Sequence, residues 1–173
     1  MKIILLGYMG SGKSIIGKKL SQKLDITHFD LDEMIENHQN LSISELFKTK
    51  GELYFRKLEN KIFKEFIDNK ESYILSLGGG TPCYFDNYKA LNSNGIISIY
   101  LIASIETLID NLKNDSKKRP ILDAIALGNQ KEFIAKHLFE RSYFYNFATK
   151  KVVVDGKSVD AIAQEIISLL EVV

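Results

Sequence analysis

The sequence is poor in features that would assign it to several common classes of protein. A single cysteine, Cys83, excludes an internal disulfide and a metal site built from several thiolates. No apolar run approaches the roughly 20 residues of a membrane-spanning helix, and the apolar stretch 1–7 is too short for a signal peptide. The 23 basic residues nearly balance the 22 acidic ones, which disfavours binding to DNA or RNA. These absences predict a cytoplasmic protein with no nucleic-acid or membrane partner.

Arginine is also scarce. Of the 23 basic residues, 20 are lysines, and the arginines are Arg56, Arg119 and Arg141. Lysine serves solubility equally well, so an arginine in a lysine-rich chain indicates a place where a planar, two-pronged donor binds carboxylate or phosphate. The alternative is that three residues are scattered by chance. The composition therefore makes each arginine a candidate for anion binding.

The length of 173 residues, 45% of them hydrophobic, predicts one domain over residues 1–173 with a single well-buried core. Strand-like and helix-like segments alternate, which favours a parallel sheet with helices on both faces. Strands are predicted at residues 2–6, 26–29, 72–77, 96–102 and 151–154. Helices are predicted at residues 14–24, 34–38, 42–50, 52–69, 105–112, 131–147 and 158–170.

The predicted helix 52–69 is amphipathic and contains one of the arginines. Its apolar side would carry Leu53, Leu58, Ile62, Phe63 and Phe66. Arg56 and Glu59 are three residues apart and share a helix face, so the carboxylate could hold the guanidinium in position. A solvated surface pair would have the same spacing.

The residues from Gly7 to Ser14 read GYMGSGKS and match the phosphate-loop pattern G-x-x-x-x-G-K-[ST]. The motif lies between a predicted strand and helix, as it must. Glycines allow successive backbone N–H groups to point into one concavity, to which the helix adds its positive N-terminal end. The predicted polyphosphate site consists of Gly10, Ser11, Gly12, Lys13 and Ser14. Lys13 would contact the β- and γ-phosphates and Ser14 would coordinate Mg²⁺, whereas a merely tight turn would need neither residue.

Polar residues and glycines follow the second and third strands, where ligands of an open parallel sheet bind. Asp30 and Asp32 could face one crevice, one toward the water shell of a metal and the other toward an acceptor hydroxyl. Either aspartate alone could simply cap the next helix. Gly78, Gly79 and Gly80 exceed what a turn requires and indicate close approach of the backbone to a ligand, with a flexible turn as the alternative.

The chain resembles the shikimate kinases along essentially its whole length. The shared motifs occur in that family's order and spacing at residues 7–14, 29–32, 44–47, 55–56 with Glu59, 75–80, 119–120 and 140–141. The resemblance implies a three-layer α/β fold of the P-loop kinase type, with a five-stranded parallel sheet. It also implies a mobile lid at about residues 115–127 and a substrate-binding helical segment at about residues 31–62. Tyr143 departs from the family, which usually has proline two residues after the second substrate arginine.

The resemblance also implies roles for individual residues. Shikimate would be bound by Asp32, Arg56, Gly78, Gly79, Gly80 and Arg141. The arginines would hold the carboxylate and Asp32 the hydroxyls. Mg²⁺ would be held by Ser14 and, through water, by Asp30. The catalytic residues would be Lys13, Asp32 and Arg119, and Arg119 would also contact ATP from the lid.

The predicted reaction is transfer of the γ-phosphoryl group of ATP to the 3-hydroxyl of shikimate, on the pathway to chorismate and aromatic amino acids. A monomer is expected, with ATP as co-substrate and Mg²⁺ as cofactor. One alternative is a kinase for gluconate or a nucleoside monophosphate, which would not require the glycine triplet together with two carboxylate-binding arginines. Another is a nucleotide-binding regulatory module, which would hydrolyse ATP slowly and respond to no metabolite.

The remaining candidates for chemistry are expected to be structural. His28, His38 and His137 are too dispersed along the chain for a metal site. Cys83 is expected to be a small, partly buried residue rather than a nucleophile.

Overall fold

Five strands and seven α-helices alternate along the described chain, which in this computed structural model comprises residues 1–68, 71–93, 95–113 and 129–171. The strands are β1 (Lys2–Leu6), β2 (His28–Asp30), β3 (Tyr73–Ser76), β4 (Ile96–Ile102) and β5 (Lys150–Val153). The helices are α1 (Lys13–Leu24), α2 (Leu31–Gln39), α3 (Ile43–Lys50), α4 (Glu52–Ile67), α5 (Ile105–Lys113), α6 (Gln130–Tyr145) and α7 (Val159–Glu171). Arg119 and the predicted lid at 115–127 lie outside the described residues. Within those ranges, no helix has the length and apolar character needed to cross a membrane.

The strands form one parallel sheet in the order β2-β3-β1-β4-β5, with β1 at its centre. Ser76 at the end of β3 lies opposite Leu5 of β1 on one side and Asp30 of β2 on the other. The carboxyl ends of these three neighbouring strands therefore meet at one edge. Because the glycine-rich loop follows β1 and the glycine triplet follows β3, the fold places both next to Asp30, as the sequence predicted.

Alternate residues of β1 enter two separate cores, which explains why this strand is an unbroken apolar run. Ile3 and Leu5 pack against α1 and α7, whereas Ile4 and Leu6 pack against the helices on the other face. All four side chains are fully buried, and each such burial stabilises the fold by about 2 kcal/mol. The three-layer arrangement predicted from the alternation of elements is thereby confirmed.

The junction between β2 and α2 differs from the prediction. The strand runs from His28 to Asp30 rather than over residues 26–29, and the helix begins at Leu31 rather than at residue 34. Asp30 is the cause, because it is both the last strand residue and the N-cap of the helix. Its Oδ1 accepts a hydrogen bond from the backbone N–H of Asp32 at 3.1 Å. A cap of this kind starts the helix at the next residue, Leu31. It therefore overrides the spacing of apolar residues, which predicted a start at residue 34.

The predicted apolar face of α4 is partly wrong. Leu53 is 65% exposed. The helix ends at Ile67, and the predicted end at residue 69 lies outside the described chain. The buried side chains of α4 are Phe55, Arg56, Glu59, Ile62 and Phe63. The N-terminal half of the helix thus turns a charged pair inward, because it faces a cavity rather than the apolar core.

Candidate active site

The loop between β1 and α1 curls tightly around its own backbone. Gly7 has φ 145°, and a Cβ there would lie 2.7 Å from the carbonyl oxygen of Leu101. Gly10 has φ 83°, and a Cβ there would lie 2.9 Å from Cγ of Leu112. Both positions therefore require glycine. Among the described residues, no side chain caps the N-terminus of α1, so the N–H groups of its first turn are available to an anion.

Lys13, the first residue of α1, folds back across the loop. Its Nζ donates hydrogen bonds to the carbonyl oxygens of Gly7 and Tyr8, both at 2.9 Å. These contacts hold the ammonium group beside the concavity formed by the loop. The positive charge lies where a bound polyphosphate would need it.

Ser14 and Asp30, the two predicted metal residues, are in direct contact although 16 residues separate them. The Ser14 hydroxyl donates to Asp30 Oδ2 at 2.5 Å. Two oxygen ligands so placed match the preference of Mg²⁺, which usually retains several waters and takes few protein ligands. Among the described residues, no group of three or more His, Cys, Asp or Glu side chains is arranged to hold a metal. The donor set therefore suits Mg²⁺ better than a metal that needs a complete protein cage.

A cavity of about 490 Å³ opens beside the phosphate loop. Its lining includes every predicted substrate-binding residue, namely Asp32, Arg56, Gly78, Gly79, Gly80 and Arg141. Ser14 and Asp30 also line it, so the predicted metal residues and the predicted acceptor residues share one space. The rest of the wall consists of Met9, Glu36, Ser42, Ile43, Ser44, Phe47, Phe55 and Glu59. Of these, only Glu59 had a predicted contact, the one with Arg56.

Arg56 is held rigidly in the wall of this cavity. Its Nη1 donates to Glu59 Oε2 at 2.8 Å, and its guanidinium lies 4.3 Å from the ring centroid of Tyr84. Burial lowers the pKa of Arg56, but the charge and hydrogen bond of Glu59 outweigh this effect and raise it overall. The guanidinium is therefore a permanent cation, and its Nε also lies 3.4 Å from Glu52 Oε1, so two carboxylates hold it at the wall of the cavity.

The pair formed by Arg56 and Glu59 is not the solvated surface pair that the spacing also allowed. Arg56 is 6% exposed and Glu59 is 1% exposed. Glu59 is fixed in turn, since its Oε1 accepts a hydrogen bond from the Thr81 hydroxyl at 2.6 Å. Desolvating two charges is costly, so burial without a compensating use is uncommon. The arrangement is that expected of a preorganised anion site.

Arg141 reaches the cavity from α6. It is 9% exposed, and its guanidinium lies 5.5 Å from the ring centroid of Tyr8 in the phosphate loop. A cation over an aromatic face stabilises the pair by about 1 kcal/mol and fixes the direction of the side chain. Tyr143, found where proline was expected, is 61% exposed, and α6 continues unbroken to Tyr145. The departure leaves Arg141 on a regular helix.

Each glycine of the triplet lies against a side chain or backbone group of the site. A Cβ on Gly78 would lie 2.8 Å from Asp32 Oδ1, and one on Gly79 would lie 3.2 Å from the backbone nitrogen of Met9. A Cβ on Gly80 would lie 2.7 Å from Arg56 Nη2. The sequence predicted a close approach at this triplet. The groups that approach it are protein atoms of the site itself.

Replacing Gly80 with alanine is expected to displace the Arg56 guanidinium. Its φ of −94° suits any residue, so the only new strain is the contact between the added methyl group and Arg56. We expect the KM for the acceptor to rise by about tenfold and the KM for ATP to change by less than about twofold. Steady-state kinetics at varied concentrations of each substrate measures both. Equal changes in the two constants would show that the methyl group disturbs the whole site.

Cys83 is half-buried behind the glycine triplet. Burial raises the pKa of its thiol to about 11, although the charges of Arg141 and Arg56 oppose the change. A group whose pKa is raised from 9.0 to about 11 carries about 100-fold less thiolate near neutral pH. This agrees with the prediction of a structural cysteine.

The thiol of Cys83 is accordingly expected to react slowly with a disulfide reagent at pH 7. The lower thiolate fraction slows the reaction about 100-fold, and the greater nucleophilicity of a thiolate of higher pKa offsets about tenfold of that. The rate in the folded protein should therefore be about tenfold below that of the unfolded chain and should climb about tenfold per pH unit toward the pKa of about 11. Stopped-flow absorbance of the released thiolate measures it. A native rate as fast as that of the unfolded chain would contradict the assigned burial.

Two of the histidines make hydrogen bonds to residues that are distant in the sequence. His28 Nε2 lies 2.9 Å from the Ser76 hydroxyl, and His137 Nδ1 lies 3.2 Å from the Tyr8 hydroxyl. Burial lowers the pKa of each ring. These contacts agree with the structural assignment made from the sequence.

Some residues of the site could not be identified from the sequence. Thr81 and Tyr145 bind site residues that are distant in the sequence, so only the folded structure brings them together. Phe47 and Phe55 line the cavity but have the helical spacing of ordinary core residues. Glu36 accepts the backbone N–H of Ile43 at 2.9 Å and so closes the turn between α2 and α3. The resemblance drew attention to this wall of the cavity through the predicted segment 31–62 and the motif at residues 44–47, which indicated no particular contact for these residues.

The fold and site together define the class of the protein. A parallel sheet with β1 at its centre leads into a glycine-rich phosphate loop, and a cavity with two buried arginines lies beside that loop. This is the architecture of a P-loop kinase that phosphorylates a small molecule.

Comparison with known proteins indicates the family within this class of kinases. The family model described as "Shikimate kinase" matches residues 9–171. A shikimate kinase of Flavobacterium johnsoniae is 49% identical over 169 residues, which are 98% of this chain and 98% of that protein. The crystal structure of shikimate kinase from Bacteroides thetaiotaomicron has a TM-score of 0.91 at 32% identity, covering 99% of this chain and 98% of the other. That of the Acinetobacter baumannii enzyme in complex with shikimate has a TM-score of 0.90 at 27% identity, covering 99% and 93%.

The chain belongs to the shikimate kinase family, a family of ATP-dependent phosphotransferases.

Proposed function

We propose that this protein transfers the γ-phosphoryl group of ATP to the 3-hydroxyl of shikimate, which gives 3-phosphoshikimate and ADP. The observation that carries the proposal is the cavity in which Arg56 and Arg141 face the same space as Ser14 and Asp30. A small acid held there by its carboxylate would lie next to the phosphate loop. The acceptor named in the Acinetobacter baumannii complex, shikimate, is such an acid.

The two arginines are proposed to bind the carboxylate of the acceptor. Arg56 is fixed by Glu59 and Arg141 by the ring of Tyr8, so neither side chain must be ordered when the acceptor binds. A guanidinium also presents paired N–H groups that match the two oxygens of a carboxylate. Buried, preorganised cations of this kind favour an acid over a neutral polyol.

Asp32 and the glycine triplet are proposed to bind and orient the acceptor hydroxyls. Asp32 Oδ1 lies close to Gly78, so its carboxylate is directed across the cavity wall. A carboxylate there can accept hydrogen bonds from hydroxyl groups and is placed to take up the proton of the attacking one. Gly79 and Gly80 allow the backbone to lie against Arg141 and Arg56, so the triplet and the two arginines form one wall of the proposed acceptor site.

On the donor side, Gly10, Ser11, Gly12, Lys13 and Ser14 are proposed to bind the phosphates of ATP. Lys13 would offset charge on the transferred group, and the backbone N–H groups of the loop would fix the chain of phosphates. Mg²⁺ is proposed to bind at Ser14 and, through water, at Asp30, where it would neutralise the phosphate oxygens. The oxygen ligands and their direct contact support that assignment.

Further assignments rest on the resemblance. Arg119 is proposed as a catalytic, ATP-binding residue of a lid at about residues 115–127, all outside the described chain. The chain is proposed to be a single kinase domain in which residues 31–62 bind the acceptor. A cytoplasmic monomer is proposed, and the single cysteine agrees with a reducing compartment.

Release of ADP, measured side by side with different acceptors, tests the proposal. Shikimate should stimulate release by at least about 100-fold over the reaction without acceptor, because positioning supplies most of the rate of phosphoryl transfer. Gluconate and nucleoside monophosphates should stimulate it far less. Stimulation by one of these instead would reassign the acceptor, and uniformly slow release would favour a nucleotide-binding regulatory module.

A further inference from the structure

Tyr145, the last residue of α6, is completely buried next to the cavity but does not line it. Its hydroxyl donates a hydrogen bond to the carbonyl oxygen of Gly79 at 2.5 Å. Its ring packs against Tyr100, with 5.1 Å between the ring centroids. The phenol is thus held by packing on one side and by a single backbone acceptor on the other.

Gly79, which receives this hydrogen bond, lies between the two halves of the site. A Cβ on Gly79 would be 3.2 Å from the backbone nitrogen of Met9 in the phosphate loop and 3.6 Å from Arg141 Nη1. The same Cβ would be 3.6 Å from the carbonyl oxygen of Gly7. Any shift of this peptide unit changes the spacing between the loop and Arg141.

Arg141 also interacts with the Tyr145 hydroxyl. The two residues are four apart on α6 and therefore share one helix face. Burial raises the pKa of Tyr145, and the interaction with Arg141 opposes part of that change. The phenol consequently stays protonated and remains a donor throughout the neutral range.

We propose that Tyr145 is a positioning residue, which holds the Gly79 peptide and Arg141 at the spacing that acceptor binding requires. The inference rests on the proposed function, since it concerns the proposed acceptor subsite. Tyr145 acts through Gly79 and Arg141, both of which line the cavity. It would make no contact with ATP, because the phosphate loop and α1 carry those contacts.

The physical consequence of losing the hydroxyl is local. The Gly79 carbonyl would lose its buried donor, and such a group tends to move until it finds another partner or water. The peptide unit would then shift against Arg141, whose Nη1 lies beside Gly79 and which also loses its interaction with the hydroxyl. The Tyr145 ring would keep its packing on Tyr100, so the fold itself should survive.

Tyr145→Phe tests the proposal because it removes one oxygen and leaves the ring. We expect the KM for shikimate to rise by about tenfold, the scale of one lost hydrogen bond, while the KM for ATP changes by less than about twofold. Thermal denaturation supplies a second measurement. The rise in Tm produced by saturating shikimate should be smaller in the variant than in the wild-type protein, whereas the rise produced by ADP should be the same. Each rise is measured against the Tm of the same protein without ligand, so a change in the variant's own stability does not affect the comparison.

Tyr73→Phe is the matched control. Tyr73 is 1% exposed, and its hydroxyl has no hydrogen-bond partner among the described residues, so the substitution should change neither KM. A purely structural Tyr145 would lower the Tm without separating the two KM values, and this result would overturn the proposal. A wild-type protein that fails to phosphorylate shikimate would instead refute the proposed function, so the two failures are distinguishable.

Discussion

Replacement of Lys13 with alanine is expected to lower kcat by about 1000-fold in a protein that remains folded. The transferred phosphoryl group carries negative charge that positioned cations must offset, and Lys13, whose Nζ is held beside the phosphate loop, is proposed to be such a cation. The substitution also removes hydrogen bonds to the carbonyl oxygens of Gly7 and Tyr8. These contribute about 1 kcal/mol each, which is too little to unfold a domain of this size.

The control for this substitution is Lys18→Ala. Lys18 is exposed on the same helix, so the change removes the same charge at a distance from the loop. Its kcat should stay within about twofold of the wild-type value. Circular dichroism and thermal denaturation establish that both variants are folded. A folded Lys13→Ala protein with near-normal kcat would show that this loop does not bind the transferred phosphate.

Replacement of Arg141 with lysine is expected to raise the KM for shikimate by about 30- to 100-fold and to leave the KM for ATP within about twofold. The substitution keeps the positive charge, so the expected rise in KM reports the loss of the guanidinium's hydrogen-bonding geometry. Lysine offers a single ammonium group where the guanidinium offers two parallel N–H groups to a carboxylate. It also stacks less well on the ring of Tyr8.

Glu140→Gln controls for the change on α6, because Glu140 is the exposed neighbour of Arg141 on the same helix. It should leave both KM values within about twofold. Isothermal titration of shikimate and of ADP separates affinity from turnover. If Arg141→Lys weakened the two ligands equally, Arg141 would not be a specific contact to the acceptor.

Much of the fold could be predicted from the sequence because strong local signals agreed with the global arrangement. The bounds of β1 and β4 were predicted correctly, since both strands are largely apolar runs, with Gly7 directly after β1 and Gly95 directly before β4. The start of α2 was not, because Asp30 caps the helix earlier than the apolar spacing suggests. Leu53 was assigned to the apolar side of α4 by its spacing along the helix, yet α4 turns Arg56 and Glu59 inward and leaves Leu53 exposed.

The site was predictable where residues carry chemistry in a recognisable order. The phosphate loop, the aspartates after β2 and the glycine triplet lie at the ends of adjacent strands, so parallel topology was enough to bring them together. The burial of the arginines could not be deduced from spacing, because a buried pair and a surface pair have the same sequence pattern. Scarcity of arginine was the useful signal.

Other contacts of the site depend on tertiary structure alone. The hydrogen bond from Tyr145 to Gly79 joins residues 66 apart, and that from Thr81 to Glu59 joins residues 22 apart. A tyrosine near the end of a helix is an ordinary core residue by every sequence criterion. The direction of its hydroxyl is fixed only when α6 packs against the loop that follows β3.

A crystal structure of the protein with ADP, Mg²⁺ and shikimate tests the central claim most directly. We predict that the carboxylate of shikimate binds between the guanidinium groups of Arg56 and Arg141, and that its 3-hydroxyl faces the β-phosphate of ADP held by the phosphate loop. A structure in which both guanidinium groups turn away from the bound acid, or in which shikimate binds elsewhere, would contradict the account.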